Sequence, residues 1–195
     1  NIPMRLLIIL LLSLGLLTAC GPSKQSTPQT QVDPEENART LMQSGDYSAA
    51  ALEYLGLATK DKQNSTIYRL KAAAAYVEAG DYGAAQKTLS DTTVADNDSL
   101  QNIRMKILSA RLELEFGQPG KALGLLNELP EPNIPQNLRV TFHDIRAKAY
   151  LAHGDYLKAA SERLLLSNYL NTPTEIDQNN RSLWNVLESI PASDI

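Results

Sequence analysis

Four glycines at nearly constant spacing constrain this chain more than anything else in it. Gly45, Gly80, Gly117 and Gly154 follow one another at intervals of 35, 37 and 37 residues. Their settings are Ser44-Gly45-Asp46-Tyr47, Ala79-Gly80-Asp81-Tyr82, Phe116-Gly117-Gln118-Pro119 and His153-Gly154-Asp155-Tyr156. Seven residues before each glycine stands an alanine (Ala38, Ala73, Ala110, Ala147), and five after it stands another (Ala50, Ala85, Ala122, Ala159). Two helices approach closely only where neither carries a bulky side chain, so small residues at fixed offsets on both sides of a turn mark the closest contact of a helical hairpin. Glycine at the turn supplies the left-handed residue that ends the first helix. Composition points the same way: 22 Ala and 31 Leu stand against 5 Val and 11 Ile, and Ala and Leu favour helix where β-branched residues favour strand. The fold class that follows is all-α.

This period is close to that of the 34-residue helix-turn-helix repeat, and the pattern resembles the tetratricopeptide repeat from residue 35 to about residue 170. The resemblance implies a right-handed superhelix of about four hairpins plus a capping helix, in a domain spanning residues 35–190. The third unit departs from the pattern. Glu113 stands where Leu41, Tyr76 and Tyr150 occupy the other units, and Gln118-Pro119 replaces Asp-Tyr. Residues 91–99, 130–135 and 171–180 are rich in Pro, Asn and Asp and read as loops. The last helix is expected over Arg181 to Ile190, with Leu183, Trp184, Leu187 and Ile190 closing the open end of the stack. Pro191 would end it.

Before the repeats, Arg5 is the single charge in residues 1–20, and it precedes an apolar run from Leu6 to Leu17 broken only by Ser13 and Gly15. A charged start and a short apolar run read as an export signal over residues 1–19, since a spanning helix needs about 18 to 20 apolar residues. Leu17-Thr18-Ala19-Cys20 resembles the bacterial lipobox, which implies that Cys20, the chain's one cysteine, is lipidated and becomes the first mature residue. Gly21 stands where an aspartate would signal retention in the inner membrane, so the same resemblance implies an anchor in outer-membrane lipid. Buried acyl chains contribute about 0.8 kcal/mol per methylene, enough for stable attachment. Residues 20–34 read as a flexible tether: from Gly21 to Pro34 there are three prolines and one aliphatic residue, Val32, too little apolar surface to offset the entropy of folding. Such a segment reaches roughly 20 Å. The chain opens on Asn1, so either Met4 is the start or the sequence is a piece of a longer one.

Charge and motif content exclude several functions. A net charge of −4, from 18 Lys and Arg against 22 Asp and Glu, lacks the basic excess that nucleic-acid binding demands. One cysteine and two histidines make neither an internal disulfide nor a four-ligand zinc site. His143 and His153 would sit about 15 Å apart along a helix, so no metal and no cofactor is expected. Glu53, Glu113, Glu115 and Glu162 read as solvated helix faces, and no hydrolase or nucleotide-binding motif is present. The chain does not read as an enzyme; the natural activity of stacked hairpins is binding. In the repeat geometry the residues three, six, ten and thirteen before each glycine point to the concave side. These are Ile67, Leu70, Ala74 and Val77; Arg104, Ile107, Arg111 and Leu114; and Thr141, Asp144, Lys148 and Leu151. The expected groove is apolar with a basic stripe and suits an extended acidic peptide or a partner helix. The plainer alternative is that these side chains only pack on neighbouring helices or face water.

The closing segments Glu162-Arg163-Leu164-Leu165-Leu166, Gln178-Asn179-Asn180 and Leu183-Trp184-Asn185-Val186-Leu187 are similar to the end of the amino-terminal domain in LpoA-type lipoproteins of the LppC family, activators of penicillin-binding proteins. That resemblance implies a helical-repeat domain followed by a much larger one resembling periplasmic solute-binding proteins. The larger domain would contact a class A penicillin-binding protein and stimulate cross-linking of peptidoglycan. This chain would then be the lipid-anchored spacer on the periplasmic side of the outer membrane, with Cys20 the one functional residue carried over. Two other readings stay open. One is a repeat lipoprotein of the β-barrel assembly machine or a secretin pilotin, holding its protein partner in the groove. The other is a peptidoglycan-processing enzyme.

Overall fold

The four hairpins among the described residues are built on turns in which a glycine stops one helix and the next residue, Asp in three turns and Gln in one, starts another. The computed structural model describes residues 33–191. The expected signal peptide, Cys20 and the tether through residue 32 lie outside the described residues, as do residues 192–195. The described helices are α1 (Glu36–Ser44), α2 (Tyr47–Lys60), α3 (Ser65–Glu78), α4 (Tyr82–Ser90), α5 (Ser99–Glu115), α6 (Pro119–Asn127), α7 (Gln136–His153), α8 (Tyr156–Ser167) and α9 (Pro173–Glu188), with a 3₁₀ turn at Glu131–Asn133 before α7. Among the described residues there is no strand. The pairs α1/α2, α3/α4, α5/α6 and α7/α8 form four hairpins, and α9 packs on α8. The fold is the expected all-helical stack with a closing helix.

Gly45, Gly80, Gly117 and Gly154 have φ of +81°, +74°, +71° and +87°, the left-handed region that side chains with a Cβ rarely occupy. That turn points the next N–H back at the helix just ended. Asp46, Asp81, Gln118 and Asp155 donate to the carbonyls of Leu41, Tyr76, Glu113 and Tyr150 at 3.0, 2.9, 2.8 and 2.9 Å. This bond satisfies a helix-end carbonyl that would otherwise be orphaned. It uses backbone only, so Glu113 serves as well as the larger residues at its position. Asp46 and Asp81 then cap the following helices, accepting from the N–H of Ala49 and Ala84 at 3.3 and 2.9 Å. In the third turn Pro119 occupies the first helical position, where a missing N–H costs nothing.

The eight alanines at fixed offsets are all buried, seven at 0% exposure and Ala147 at 1%. Around them the apolar side chains gather in successive clusters. Ala38, Tyr54 and Tyr68 join the first unit to the second. Leu70, Ala85 and Leu112 join the second to the third. Ile103, Leu126 and Phe142 join the third to the fourth.

The two ends differ from expectation. Asp33, assigned to the tether, accepts from the N–H of Glu35 at 2.8 Å and pairs with Arg39 at 2.6 Å, so ordered structure begins there. The last helix starts at Pro173, well before the expected Arg181. Thr172 and Glu175 form a reciprocal capping box, with Thr172 Oγ1 accepting from the Glu175 N–H at 3.3 Å. The stretch expected as the loop 171–180 is largely the first turns of this helix, whose side chains face solvent except for Asn179. Trp184 and Leu187, expected to close the stack, are 65% and 38% exposed. The contact with α8 is made by Leu183 and Val186 against Ala159 and Ala160.

Backbone and cavity arguments give opposite signs for two glycine replacements. Gly154→Ala should destabilise by about 1–2 kcal/mol because alanine is strained at positive φ. Gly124→Ala, in α6 with no atom within 4 Å of an added Cβ, should stabilise by about 0.5–1 kcal/mol. Urea denaturation followed by circular dichroism reads both.

Candidate functional site

Because α3, α5 and α7 are the first helices of consecutive units, they lie side by side, and their shared face holds a recess of about 380 Å³. Ile67, Leu70 and Ala74 line it from α3, Arg104, Ile107 and Arg111 from α5, and Thr141 from α7. Asp144 and Lys148 lie farther along α7, around an adjoining recess of about 290 Å³ that also takes in Arg111 and Leu114. Val77 does not line either one. At 3% exposure it packs with Leu70, Ala73, Leu89 and Leu112, because three residues before the turn glycine this face of the first helix lies against its own second helix and the next unit.

Five other side chains complete the main recess: Lys71, Gln101, Leu108, Leu138 and Ile145. Lys71, Leu108 and Ile145 each stand nine residues before a turn glycine, and Gln101 and Leu138 sixteen before. Nine and sixteen differ by a heptad, so they belong to one face. Extending the concave offsets by this pair would have found them from the sequence.

The basic stripe is largely neutralised. Lys71 pairs with Glu35, and Arg111 Nη1 lies 2.6 Å from Glu78 Oε1. Arg104 has no ion pair among the described residues; its Nη1 donates to Gln101 Oε1 at 3.2 Å. Asp144 is held by Lys148 at 2.7 Å and Arg163 at 2.6 Å. Burial opposes its ionisation, but these two cations outweigh burial and hold its carboxyl below the ordinary value of 3.8.

Glu162 corrects the expectation of a solvated face. It is 4% exposed, with Oε2 2.8 Å from His143 Nδ1 and Oε1 2.6 Å from Arg146 Nη2. His143 is fully buried, stacked on Tyr169 with ring centroids 5.5 Å apart. His153 is exposed at the end of α7, so the histidines are not brought together, and no cluster of metal-ligating side chains occurs among the described residues. The His143–Glu162–Arg146 group ties α7 to α8. Sequence spacing missed it because it depends on which faces of two helices meet.

Residues 46–195 match the family described as "LppC putative lipoprotein". The chain belongs to the LppC family. Over 122 residues this LppC chain is 27% identical to the penicillin-binding protein activator LpoA of Glaesserella parasuis serovar 5, covering 63% of the chain and 21% of that relative. The chain thus spans about a fifth of the curated relative's length. Its fold matches the LpoA N-terminal domain from Haemophilus influenzae with a TM-score of 0.61 at 15% identity, over 80% of this chain and 70% of that one. It matches the amino-terminal domain of E. coli LpoA with a TM-score of 0.62 at 19% identity, over 78% and 70%. The full-length Haemophilus influenzae LpoA matches with a TM-score of 0.60 at 15% identity, 29% of its length being covered.

Two stability measurements probe the charge clusters of this LppC domain. Glu162→Ala leaves His143 and Arg146 facing a buried gap and should cost about 3–5 kcal/mol, whereas Glu188→Ala on the exposed face of α9 should stay within about 0.5 kcal/mol. Urea titrations at neutral pH separate them. For Asp144 the folded pKa lies below the unfolded one, so its contribution is present above the unfolded value and is lost as pH falls through the folded one. Asp144→Asn should therefore lower stability at neutral pH and flatten the acid limb below about pH 4, measured by thermal melts between pH 2 and 7.

Proposed function

We propose that this chain is the outer-membrane-anchored amino-terminal scaffold of an activator of a class A penicillin-binding protein in peptidoglycan synthesis. The observation that carries the reading is the LppC-family match over residues 46–195, together with a relative that is itself named a penicillin-binding protein activator. In this reading residues 1–19 are the export signal, Cys20 carries the lipid, and the segment through residue 34 is the tether. Residues 35–190 form the spacer and binding domain, and residues 191–195 lead toward a further domain. The synthase is contacted through that domain, and the chain acts as a regulator and not as an enzyme. The eight buried alanines suit a spacer: close-packed hairpins transmit position from the lipid anchor outward because each unit is held by its neighbours.

The matching experiment has two arms. Cells fed labelled palmitate should incorporate it into the wild-type chain and not into Cys20→Ser, and only the wild type should sediment with outer membranes. The whole gene product, added to a class A penicillin-binding protein with lipid II, should raise the cross-linked fraction of the glycan product. Unlabelled wild-type protein would remove the anchor from this reading, and unchanged cross-linking would remove the activator.

A further inference from the structure

We propose that the recess between α3, α5 and α7 seats an extended segment of a protein partner bearing aliphatic side chains beside one carboxylate, and that Arg104 selects that carboxylate. The inference deepens the scaffold reading and rests on it only in taking the ligand to be a protein.

The floor of the recess is apolar, with Leu70 and Ile107 each 5% exposed and Ile67 and Leu138 half-buried beside them. Its volume, about 380 Å³, is at the small end of the roughly 300–1,000 Å³ typical of ligand sites. That is room for a few side chains and not for a folded element.

Charge then narrows the occupant. Three cations reach the recess, and two are already neutralised within the domain, Lys71 by Glu35 and Arg111 by Glu78. Arg104 is half-buried, carries no ion pair among the described residues and hydrogen-bonds through its side chain to the neutral Gln101. A guanidinium in this state retains donors whose planar fork matches a carboxylate, and its partial removal from water strengthens the pairing. The chain's net charge of −4 does not work against this, because charges more than about 8 Å away are screened at physiological salt. Selection is local to one side chain.

Gln101 favours a peptide over an acyl chain with an acidic head. It is 4% exposed in an apolar floor, and its carbonyl oxygen accepts from Arg104. Its amide nitrogen makes no hydrogen bond among the described residues. A main-chain carbonyl of an extended ligand supplies an acceptor for it once the recess is filled, and a fatty acid whose head is taken by Arg104 has none to offer. Burying a polar group without a partner is costly, so an occupant that pairs with the amide is preferred.

Random twelve-residue peptides displayed on phage, selected on the full chain, test this directly. The expected result is enrichment of sequences with Asp or Glu within a few positions of Leu, Ile or Val. Synthetic copies, followed by fluorescence anisotropy, should bind at least tenfold more weakly to Arg104→Gln and when their acid is replaced by its amide. Arg104→Lys should recover part of the binding, and unchanged circular dichroism melts would establish that the variants are folded. Lauric acid serves as the competing probe. Enriched peptides without an acidic residue, binding indifferent to Arg104, no enrichment at all, or a site that takes lauric acid more tightly than any peptide would each overturn the proposal. None of these outcomes depends on whether the whole gene product stimulates a synthase, so this idea and the activator reading fail separately.

Discussion

The close approach of two helices at a pair of alanines is the contact on which the remaining architecture depends. Ala73 of α3 and Ala85 of α4 are fully buried in one cluster, small side chains that let two backbones approach, and the left-handed Gly80 brings the chain around in the few residues available. Repeating that contact four times sets a fixed rise from one unit to the next. The apolar residues cannot then collect in one centre. They form a line of clusters, each spanning two consecutive units, such as Tyr54 with Tyr68 and Ile103 with Phe142. Stability in such an array is a sum over neighbours, so a fault in one turn weakens two interfaces and leaves distant units intact.

The groove is a consequence of the same repetition. Second helices turn their small faces inward against their partners, which leaves α3, α5 and α7 adjacent on one side. Residues nine before each glycine stand three and four residues from those six and thirteen before it, neighbours on a helix surface, so Lys71, Leu108 and Ile145 complete a floor that Leu70 and Ile107 begin. What the chain varies from unit to unit is the chemistry placed on this register: mainly apolar in the second unit, basic in the third, and mixed with Asp144 and Lys148 in the fourth.

Features set by a residue and its sequence neighbours were legible. The turn glycines and the buried alanines are local in this sense, as is the face that includes Ile67, Arg104 and Arg111. The capping box at Thr172 was equally local but sat in a run of polar residues where apolar periodicity has nothing to count, and so α9 reads too short. Glu162 and Trp184 were illegible for another reason. Whether a side chain on a helix is covered depends on what lies opposite, and periodicity identifies a face without identifying its neighbour. Glu162 is buried because His143 and Arg146 arrive from α7 to pair with it. Trp184 is exposed because α9 meets α8 through Leu183 and Val186, on another side of the helix.

Charge pairing decides which of these groups remain open to chemistry. Arg146 and Arg163 are consumed in holding α7 to α8 through Glu162 and Asp144, and Lys71 and Arg111 are occupied by acids from the preceding units. A buried acid-base pair is difficult to redirect toward a ligand, since removing either member leaves the other desolvated and uncompensated. Arg104 differs from all four in having no ion pair among the described residues and a neutral hydrogen-bond partner. The repeat therefore separates two uses of the same residue type: cations matched by an acid from an adjoining unit fix the stack, and Arg104, the cation of the main recess with no ion pair among the described residues, is the group proposed to select a ligand.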